Sequence, residues 1–337
     1  MRELLGKVLK YDVTTSYGLV LVPSQSVLDQ EHLDLFQQHR IDKVDIIVTS
    51  HIEVVSTSDS SQLLVQKATQ YAKDLFERIQ THKKIPLLEI KNDLIPIIQE
   101  AAEHPDLFQL FQAVKAKDEY THRHNIGVGI LSTLIGKWLN LPDSDVALLS
   151  LAATLHDVGK VQISQEILMK PGKLTREEFD EMKRHTVLGY NMLKDTVGLN
   201  YRVALVALQH HERADGSGYP LKLKDAQLDR MSRIVAVADI FHAMSSKRPY
   251  HEMMPFYEVV SRMRQGFFGE LDPHIVSVFL SNMVKSLIGR KVLLTDGRWG
   301  EVIYINPSDD TNPLVKVEET FLDLSRERHI HIKEVIA

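Results

Sequence analysis

An apolar segment of this chain, VALLSLAATL at residues 146–155, ends directly on two ionisable side chains, His156 and Asp157. The residues before the pair have the composition of a buried helix, so we expect the pair to lie where a core helix ends. Buried ionisable groups persist only when they are paired, hydrogen-bonded or bound to a metal. The fold must therefore bring polar partners to this point from elsewhere in the chain.

The composition limits what those partners are. The chain has no cysteine and 16 histidines, which excludes disulfides and thiolate metal sites and leaves imidazole and carboxylate as ligands. A formal net charge of -5 argues against a protein that binds DNA or RNA polymers through a basic face. No stretch reaches the roughly 18 to 20 apolar residues of a membrane span, and the amino terminus shows no apolar signal region. We therefore expect a cytoplasmic protein.

The amino-terminal residues 1–60 predict a small mixed α/β module, since the length of 337 residues favours more than one domain. GLVLV at 18–22 and KVDIIVT at 43–49 are strand-like, and LDQEHLDLFQQH between them is helical in pattern. The polar run STSDSS at 56–61 predicts a linker.

The rest of the chain is predicted to be mainly α. Residues 61–100 are interpreted as a helical connector and residues 101–287 as the main helical domain. After these, KVLLTDGRWGEVIYIN alternates around Asp296 and Gly297, a favoured hairpin turn, and PLVKVEE and HIHIKEVI add strand-like runs. Residues 288–337 are therefore predicted to form a small SH3-like β-barrel.

Seven side chains of the helical region have the types that first-row divalent metals accept. Asp239 interrupts the apolar helix RIVAVADIFHAM, where an isolated carboxylate is costly without a cation. His185 is predicted to lie inside a helix that Thr175 opens with Glu178 in a capping box. The candidates are His124, His156, Asp157, His185, His210, His211 and Asp239. Two metals that share one carboxylate would use all seven.

Each candidate taken alone also has a purely structural explanation. A single histidine on an apolar helix is more often a hydrogen-bonded core group than a ligand, and Asp239 could cap a neighbouring helix or pair with an arginine such as Arg233. His122, His242, His251 and His274 are interpreted in this structural way. The placement of metal-type groups on several helices favours one shared site.

The segment HHERADGSGYP at residues 210–220 adds a polar loop after the double histidine. Its glycines permit close backbone approach to a ligand, and Tyr219 offers an aromatic face. An ordinary turn is the alternative explanation.

Five segments in order resemble the HD-GYP phosphodiesterases, a branch of the HD-domain metal-dependent phosphohydrolases, over roughly residues 100 to 285. They are HDVGK, ILMKPGKLTREEFDEMKRHTVLGYNML, HHERADGSGYP, VADIFHAMSSKRPY and GELDP. The resemblance implies a helical HD-type domain with two divalent metal ions, iron or manganese before zinc, nickel, cobalt or magnesium. It further implies hydrolysis of cyclic di-GMP to pGpG and/or GMP by a metal-activated hydroxide.

Carried over by position, the resemblance assigns a role to each matching residue. One metal would be held by His124, His156, Asp157 and Asp239, and the other by Asp157, His185, His210 and His211. Asp157 is then the bridging, catalytic carboxylate. Lys160 and Arg248 resemble phosphate contacts, Lys160 also serving catalysis, and Gly218, Tyr219 and Pro220 belong to the loop that shapes the substrate site.

Several positions depart from the family pattern. Tyr120 stands where some members carry a glutamate for a third metal, and His242 stands where an aspartate is common. Ala214 and His251 depart as well. These departures leave open a catalytically weak cyclic di-GMP sensor or partner-binding protein, and the lack of a base-reading pattern leaves open another cyclic dinucleotide such as cGAMP. The terminal modules leave open a homodimer.

Overall fold

The computed structural model describes most of the chain from residue 57 onward and parts of the segment before it. The described ranges are 57–115, 120–246, 256–266, 269–306, 309–327 and 329–336, with residues 4, 7–9, 13–14, 20–22, 26, 28–39, 41, 48–49 and 254. The chain divides into two compact units, Met1–Ser60 and Ser61–Ala337.

The first unit combines short strands with one helix. Its elements are β1 Val8–Leu9, β2 Val13–Thr14, β3 Val20–Val22, α1 Gln30–Gln38 and β4 Val48–Thr49. Strand β1 pairs antiparallel with β4, and β2 pairs antiparallel with β3. Asp29 and His32 form a capping box that starts α1. Of the predicted strand at 43–49, residues 43–47 lie outside the described residues.

The second unit is built mainly from helices. Their bounds are α2 Thr57–His82, α3 Leu87–Glu89, α4 Ile95–Ala101, α5 Leu107–Lys115, α6 Tyr120–Trp138, α7 Asp143–Leu155, α8 Gln165–Leu168, α9 Arg176–Lys183, α10 His185–Lys194, α11 Tyr201–Gln209, α12 Arg230–Ser245, α13 Phe256–Ser261 and α14 Pro273–Lys285. Short 3₁₀ turns at Val158–Gln162 and Asp225–Gln227 and π turns at Ile90–Leu94 and Arg262–Gly266 complete the set. No helix in these described ranges has the length and hydropathy required to cross a bilayer.

The described part of the polar run, residues 57–61, is helical rather than irregular, and the boundary between the two compact units, between Ser60 and Ser61, falls within the predicted linker. Helix α2 begins at Thr57, so residues 57–61 form its first turn. Serine, threonine and aspartate are favoured where a helix starts, because their side chains can accept hydrogen bonds from the free N–H groups there. A polar segment of this kind is therefore typical both of a loop and of a helix start.

The apolar segment at 146–155 forms most of α7, and His156 is the residue at its carboxyl end. Leu149, Ala152 and Leu155 have no exposed surface. They belong to one core shared with α6, α11 and α12. The prediction that the His156–Asp157 pair ends a buried helix is confirmed.

The carboxyl-terminal strands form one antiparallel sheet in the order β8-β7-β6-β5-β9. Their bounds are β5 Lys291–Leu294, β6 Trp299–Asn306, β7 Asp309–Val317, β8 Thr320–Asp323 and β9 Ile332–Ile336. The predicted hairpin joins β5 to β6, and Gly297 in its turn has a φ of 89°, which favours glycine.

This sheet is open, and the predicted SH3-like barrel is not confirmed. Among the described strands, β8 and β9 lie at opposite edges and do not pair with each other. The apolar face, with Val292, Val302 and Val315, is instead buried against Phe108, Val284 and other residues of the helical part. The boundaries expected near residues 100 and 288 fall inside the second unit and stay predictions.

Candidate metal centre

The structure brings all seven predicted ligands into one cluster. They come from the second turn of α6, the middle of α12, the carboxyl ends of α7 and α11, and the first residue of α10. Six are buried, and the His211 side chain is 20% exposed. The cluster therefore lies inside the helical core, with His211 on its more open side.

Asp157 lies between two groups of histidines. Its Oδ2 atom is 3.3 Å from His156 Nε2 and 3.7 Å from His124 Nε2. Its Oδ1 atom is 3.3 Å from His185 Nε2 and 3.7 Å from His210 Nε2. One carboxylate oxygen thus faces each group.

Asp239 spans the same two groups from the opposite helix. Its Oδ1 is 3.1 Å from His124 Nε2, and its Oδ2 is 3.8 Å from His211 Nδ1. The alternative partner, Arg233, instead pairs with Asp225 and Asp272. The structural explanation of Asp239 as a partner of Arg233 is wrong.

Local backbone carbonyls orient three of the histidines. Nδ1 of His156 lies 2.6 Å from the Ala153 carbonyl oxygen, and Nδ1 of His185 lies 2.7 Å from that of Met182. Nδ1 of His210 lies 3.1 Å from the Val206 oxygen. A carbonyl only accepts, so each Nδ1 carries the proton and each neutral ring presents an Nε2 lone pair.

His185 owes this arrangement to a helix break that the sequence pattern did not show. The Thr175–Glu178 capping box is present, but α9 ends at Lys183 and His185 begins α10. The prediction that His185 lies inside the helix that Thr175 opens is therefore wrong. The break at Arg184 turns the imidazole back onto the Met182 carbonyl.

Several acceptor atoms in the cluster face one another. Nε2 of His185 is 3.3 Å from Nε2 of His210, and Asp157 Oδ1 lies beside both. Among the described residues, His156 Nε2 and Asp157 Oδ1 are buried without a hydrogen-bond partner. Lone pairs gathered in this way repel unless a cation lies between them. These residues fit a divalent metal.

Most of the pKa shifts in the cluster also favour metal binding. Burial lowers the pKa of His185 to about 3, and burial also lowers the pKa values of His124, His210 and His211. For Asp157, burial acts to raise the pKa, but the Lys160 ammonium and the surrounding imidazoles hold it well below its usual value. Neutral imidazoles and an ionised carboxylate are the forms that bind metals.

His156 and Asp239 also have shifted pKa values, and the shift of His156 is opposite in direction to those of the other histidines of the cluster. Burial acts to lower the pKa of His156, but the attraction of Asp157 outweighs burial and raises it. For Asp239, burial acts to raise the pKa, and the neighbouring His124 holds it well below its usual value.

The HDVGK segment also places a cation and a close contact at the cluster. The Lys160 ammonium contacts Asp157 Oδ2 and is 24% exposed, so it stands between the buried carboxylate and solvent. A Cβ atom on Gly159 would come within 1.9 Å of the His185 carbonyl oxygen. Glycine is therefore required for this turn to pack against α10.

The loop at 210–220 covers the open side. The Tyr219 ring stacks on His211 with centroids 4.7 Å apart, and the Tyr219 N–H donates to the His211 carbonyl. Gly218 packs on the backbone of His211, where a Cβ would approach to 2.5 Å, and Pro220 follows at the surface. Arg248 and His251 lie outside the described residues, as does the side chain of Tyr120.

Sequence reasoning missed several residues around the cluster. Buried Glu212 accepts hydrogen bonds from the backbone N–H groups of Leu221 and Leu223 and so holds the loop. Phe179 lies edge-on to Tyr219 and is 46% exposed. Its signal was a single aromatic residue in the otherwise charged REEFDEMK.

Comparison with known proteins identifies relatives of this fold and sequence. Residues 101–275 match the model of a family described as HD domain. A solved structure of an HDG"Y"P protein from Bdellovibrio bacteriovorus has a TM-score of 0.56 at 15% identity, covering 83% of this chain and 96% of that one. That similarity shows a shared fold.

Curated relatives are closer in sequence. A cyclic di-GMP phosphodiesterase of Pseudomonas aeruginosa is 33% identical over 255 residues, which cover 76% of this chain and 61% of the relative. One of Thermotoga maritima is 41% identical, covering 52% and 49%. A 3′3′-cGAMP-specific phosphodiesterase of Vibrio cholerae is 36% identical, covering 48% and 35%.

The chain thus spans less than two thirds of the length of these relatives. The HD-domain model itself covers more than half of the 337 residues. The predicted resemblance is confirmed, and this chain belongs to the HD-domain family of metal-dependent hydrolases.

Proposed function

We propose that this chain is a metal-dependent phosphodiesterase that hydrolyses cyclic di-GMP to pGpG and/or GMP. The observation that carries the proposal is the position of Asp157, with one buried carboxylate oxygen facing each of two groups of imidazole nitrogens. Such an arrangement suits two cations that share a ligand. Relatives named cyclic di-GMP phosphodiesterase support the substrate class.

Two sites share Asp157 in this proposal. The first site comprises His124, His156, Asp157 and Asp239, and the second site comprises Asp157, His185, His210 and His211. Nitrogen and oxygen ligands without sulfur suit iron or manganese, and also zinc, nickel, cobalt or magnesium. Divalent cations bound there would supply Lewis acidity toward a phosphodiester and lower the pKa of nearby water.

The chain's own residues then bind and orient the substrate. Lys160 lies at the solvent side of Asp157, where its positive charge would stabilise charge developing on phosphoryl oxygens. Tyr219 and Phe179 offer aromatic surface for a base, and Lys183 Nζ lies 5.2 Å from the Phe179 ring centroid. The cluster is therefore chemically suited to a phosphate diester that carries aromatic bases.

A turnover assay tests the proposal directly. The purified protein is loaded with Mn²⁺ or Fe²⁺ under reducing conditions, cyclic di-GMP is added, and products are separated chromatographically. We expect pGpG and/or GMP from the native protein and neither from Asp157→Asn. Bound metal without any product would contradict the phosphodiesterase proposal and favour a sensor of cyclic di-GMP.

A second candidate substrate follows from the relatives, since one of them is named as specific for 3′3′-cGAMP. The ratio of kcat/KM for the two cyclic dinucleotides decides between them. We expect the ratio to favour cyclic di-GMP, and a ratio that favours cGAMP would reassign the substrate. A cytoplasmic location, a homodimer and the lack of nucleic-acid polymer binding stay predictions.

A further inference from the structure

His242 makes the contacts of a residue that positions a metal ligand. It lies on α12, three residues after Asp239, and its side chain is 2% exposed. Its Nδ1 atom is 3.1 Å from Nδ1 of His124, and its Nε2 atom is 3.3 Å from the carbonyl oxygen of Val114 on α5. The imidazole therefore connects α5 to α6 across the core.

The direction of this connection follows from the carbonyl. The Val114 oxygen only accepts, so Nε2 of His242 carries the proton, and in the neutral ring Nδ1 then presents a lone pair. The hydroxyl of Ser246, 3.3 Å from the same Nδ1, can donate to it as well. Of the two Nδ1 atoms that face each other, the one on His124 must therefore hold the proton.

The consequence for His124 is a fixed lone pair on its other nitrogen. With the proton on Nδ1, Nε2 presents its lone pair, and it faces Asp239 Oδ1 at 3.1 Å and Asp157 Oδ2 at 3.7 Å. Metal-binding histidines usually donate the N–H of their other ring nitrogen to an acceptor, which fixes the orientation of the ring. His242 itself is not placed as a ligand, because both of its nitrogens face these other partners.

The space for this ring is built into α6. A Cβ atom on Gly127 would lie 2.2 Å from Nε2 and 2.4 Å from Cδ2 of His242. Glycine one turn after His124 thus leaves the volume that the imidazole at position 242 occupies. Gly127 and His242 are matched in shape, which explains how this chain accommodates a large ring at this position.

We propose that His242 is a positioning residue for the first site. It donates Nε2–H to the Val114 carbonyl and accepts Nδ1–H of His124 on its own Nδ1, and so presents His124 Nε2 to a first-row divalent cation. This inference rests on the proposed metal sites but not on the identity of the substrate.

The test compares two substitutions of His242. His242→Leu removes both ring nitrogens, whereas His242→Asn keeps an oxygen near the position of Nδ1 that can accept from His124. Ser232→Ala, another buried position on α12, is the matched control. Each protein is stripped of metal and titrated with Mn²⁺, and the tautomers of its ¹⁵N-labelled histidines are read by NMR in the metal-free state.

We expect His242→Leu to weaken one Mn²⁺ equivalent by roughly 10- to 100-fold and to leave the other unchanged. We expect His242→Asn to restore most of the affinity and Ser232→Ala to bind like the native protein. In the metal-free native protein, the NMR signal of His124 should show a proton on Nδ1. His242→Leu should shift it toward the other tautomer.

Unchanged Mn²⁺ binding in His242→Leu would overturn the inference, as would an Asn variant no better than the Leu variant. Native protein that binds Mn²⁺ but does not hydrolyse cyclic di-GMP would contradict the proposed function alone. If the native protein bound no Mn²⁺, the proposed sites would fail, and the His124 tautomer would still decide the role of His242.

Discussion

The proposed first and second sites differ in how far they depend on local hydrogen bonds to orient their histidines. In the second site, His185 and His210 donate Nδ1–H to carbonyls three or four residues earlier in the chain. In the first site, His156 does the same with the Ala153 carbonyl, but His124 contacts a side chain 118 residues away. Local hydrogen bonds form with the helix end that carries them, whereas the His124 contact requires α6 and α12 to be packed correctly. The second site is therefore the more locally determined of the two.

Asp157 is shared by both proposed sites, so its loss should have the largest effect. We expect Asp157→Asn to lower metal content at both sites and to reduce hydrolysis by more than about 100-fold, since even residues that only support metal ligands cost about that much. Elemental analysis and the turnover assay measure both quantities. Circular dichroism should show the helical fold retained, and native affinity at either site would contradict the shared-ligand arrangement.

Substituting a ligand that belongs to only one of the proposed sites distinguishes the two sites. We expect His124→Gln to lose only the first-site metal and His185→Gln only the second-site metal, because each histidine faces one oxygen of Asp157. Metal titration of both variants side by side gives the stoichiometry. Loss of both metals in either variant would show that the sites do not fill independently.

Metal removal should lower the free energy of unfolding. Binding of one metal to the folded state alone contributes about 2.7 kcal/mol at a hundredfold excess over Kd, which corresponds to a rise in Tm of roughly 4 to 5 °C for a protein of this size. Differential scanning fluorimetry with and without Mn²⁺ measures the shift. Asp157→Asn should show little change, and an equal shift in that variant would place the stabilising metal elsewhere.

Gly159→Ala tests whether the local packing around His185 supports the second site, and it should have the smallest effect on metal affinity. The added Cβ collides with the His185 carbonyl, and such overpacking costs roughly 1–3 kcal/mol. We expect metal affinity to fall at the second site more than at the first. Gly289→Ala, which meets no atom within 4 Å but strains a backbone at φ +78° beside the carboxyl-terminal sheet, is the control for general destabilisation and should change neither affinity. Equal loss at both sites would argue for a global disturbance.

Predictions that depended on neighbouring residues were the most accurate. The end of α7 before His156, the capping box at Thr175 and the hairpin at Asp296–Gly297 all follow from short patterns. The errors arose where one pattern suits two structures. Polar residues at 57–61 start a helix rather than an irregular segment, and the strands after Gly289 form an open sheet whose apolar face the helical part covers.

The residue pattern is sufficient to identify the types of the proposed ligands and the chain order in which they occur, because residue chemistry and helix periodicity are local properties. It also indicated that Asp157 needed a polar partner, since a carboxylate at the end of a buried helix is costly alone. The packed fold is required to establish which oxygen of Asp157 faces which histidine and which atom holds the proton of His124. Those choices depend on contacts between helices far apart in the chain, and no pattern within one helix specifies them.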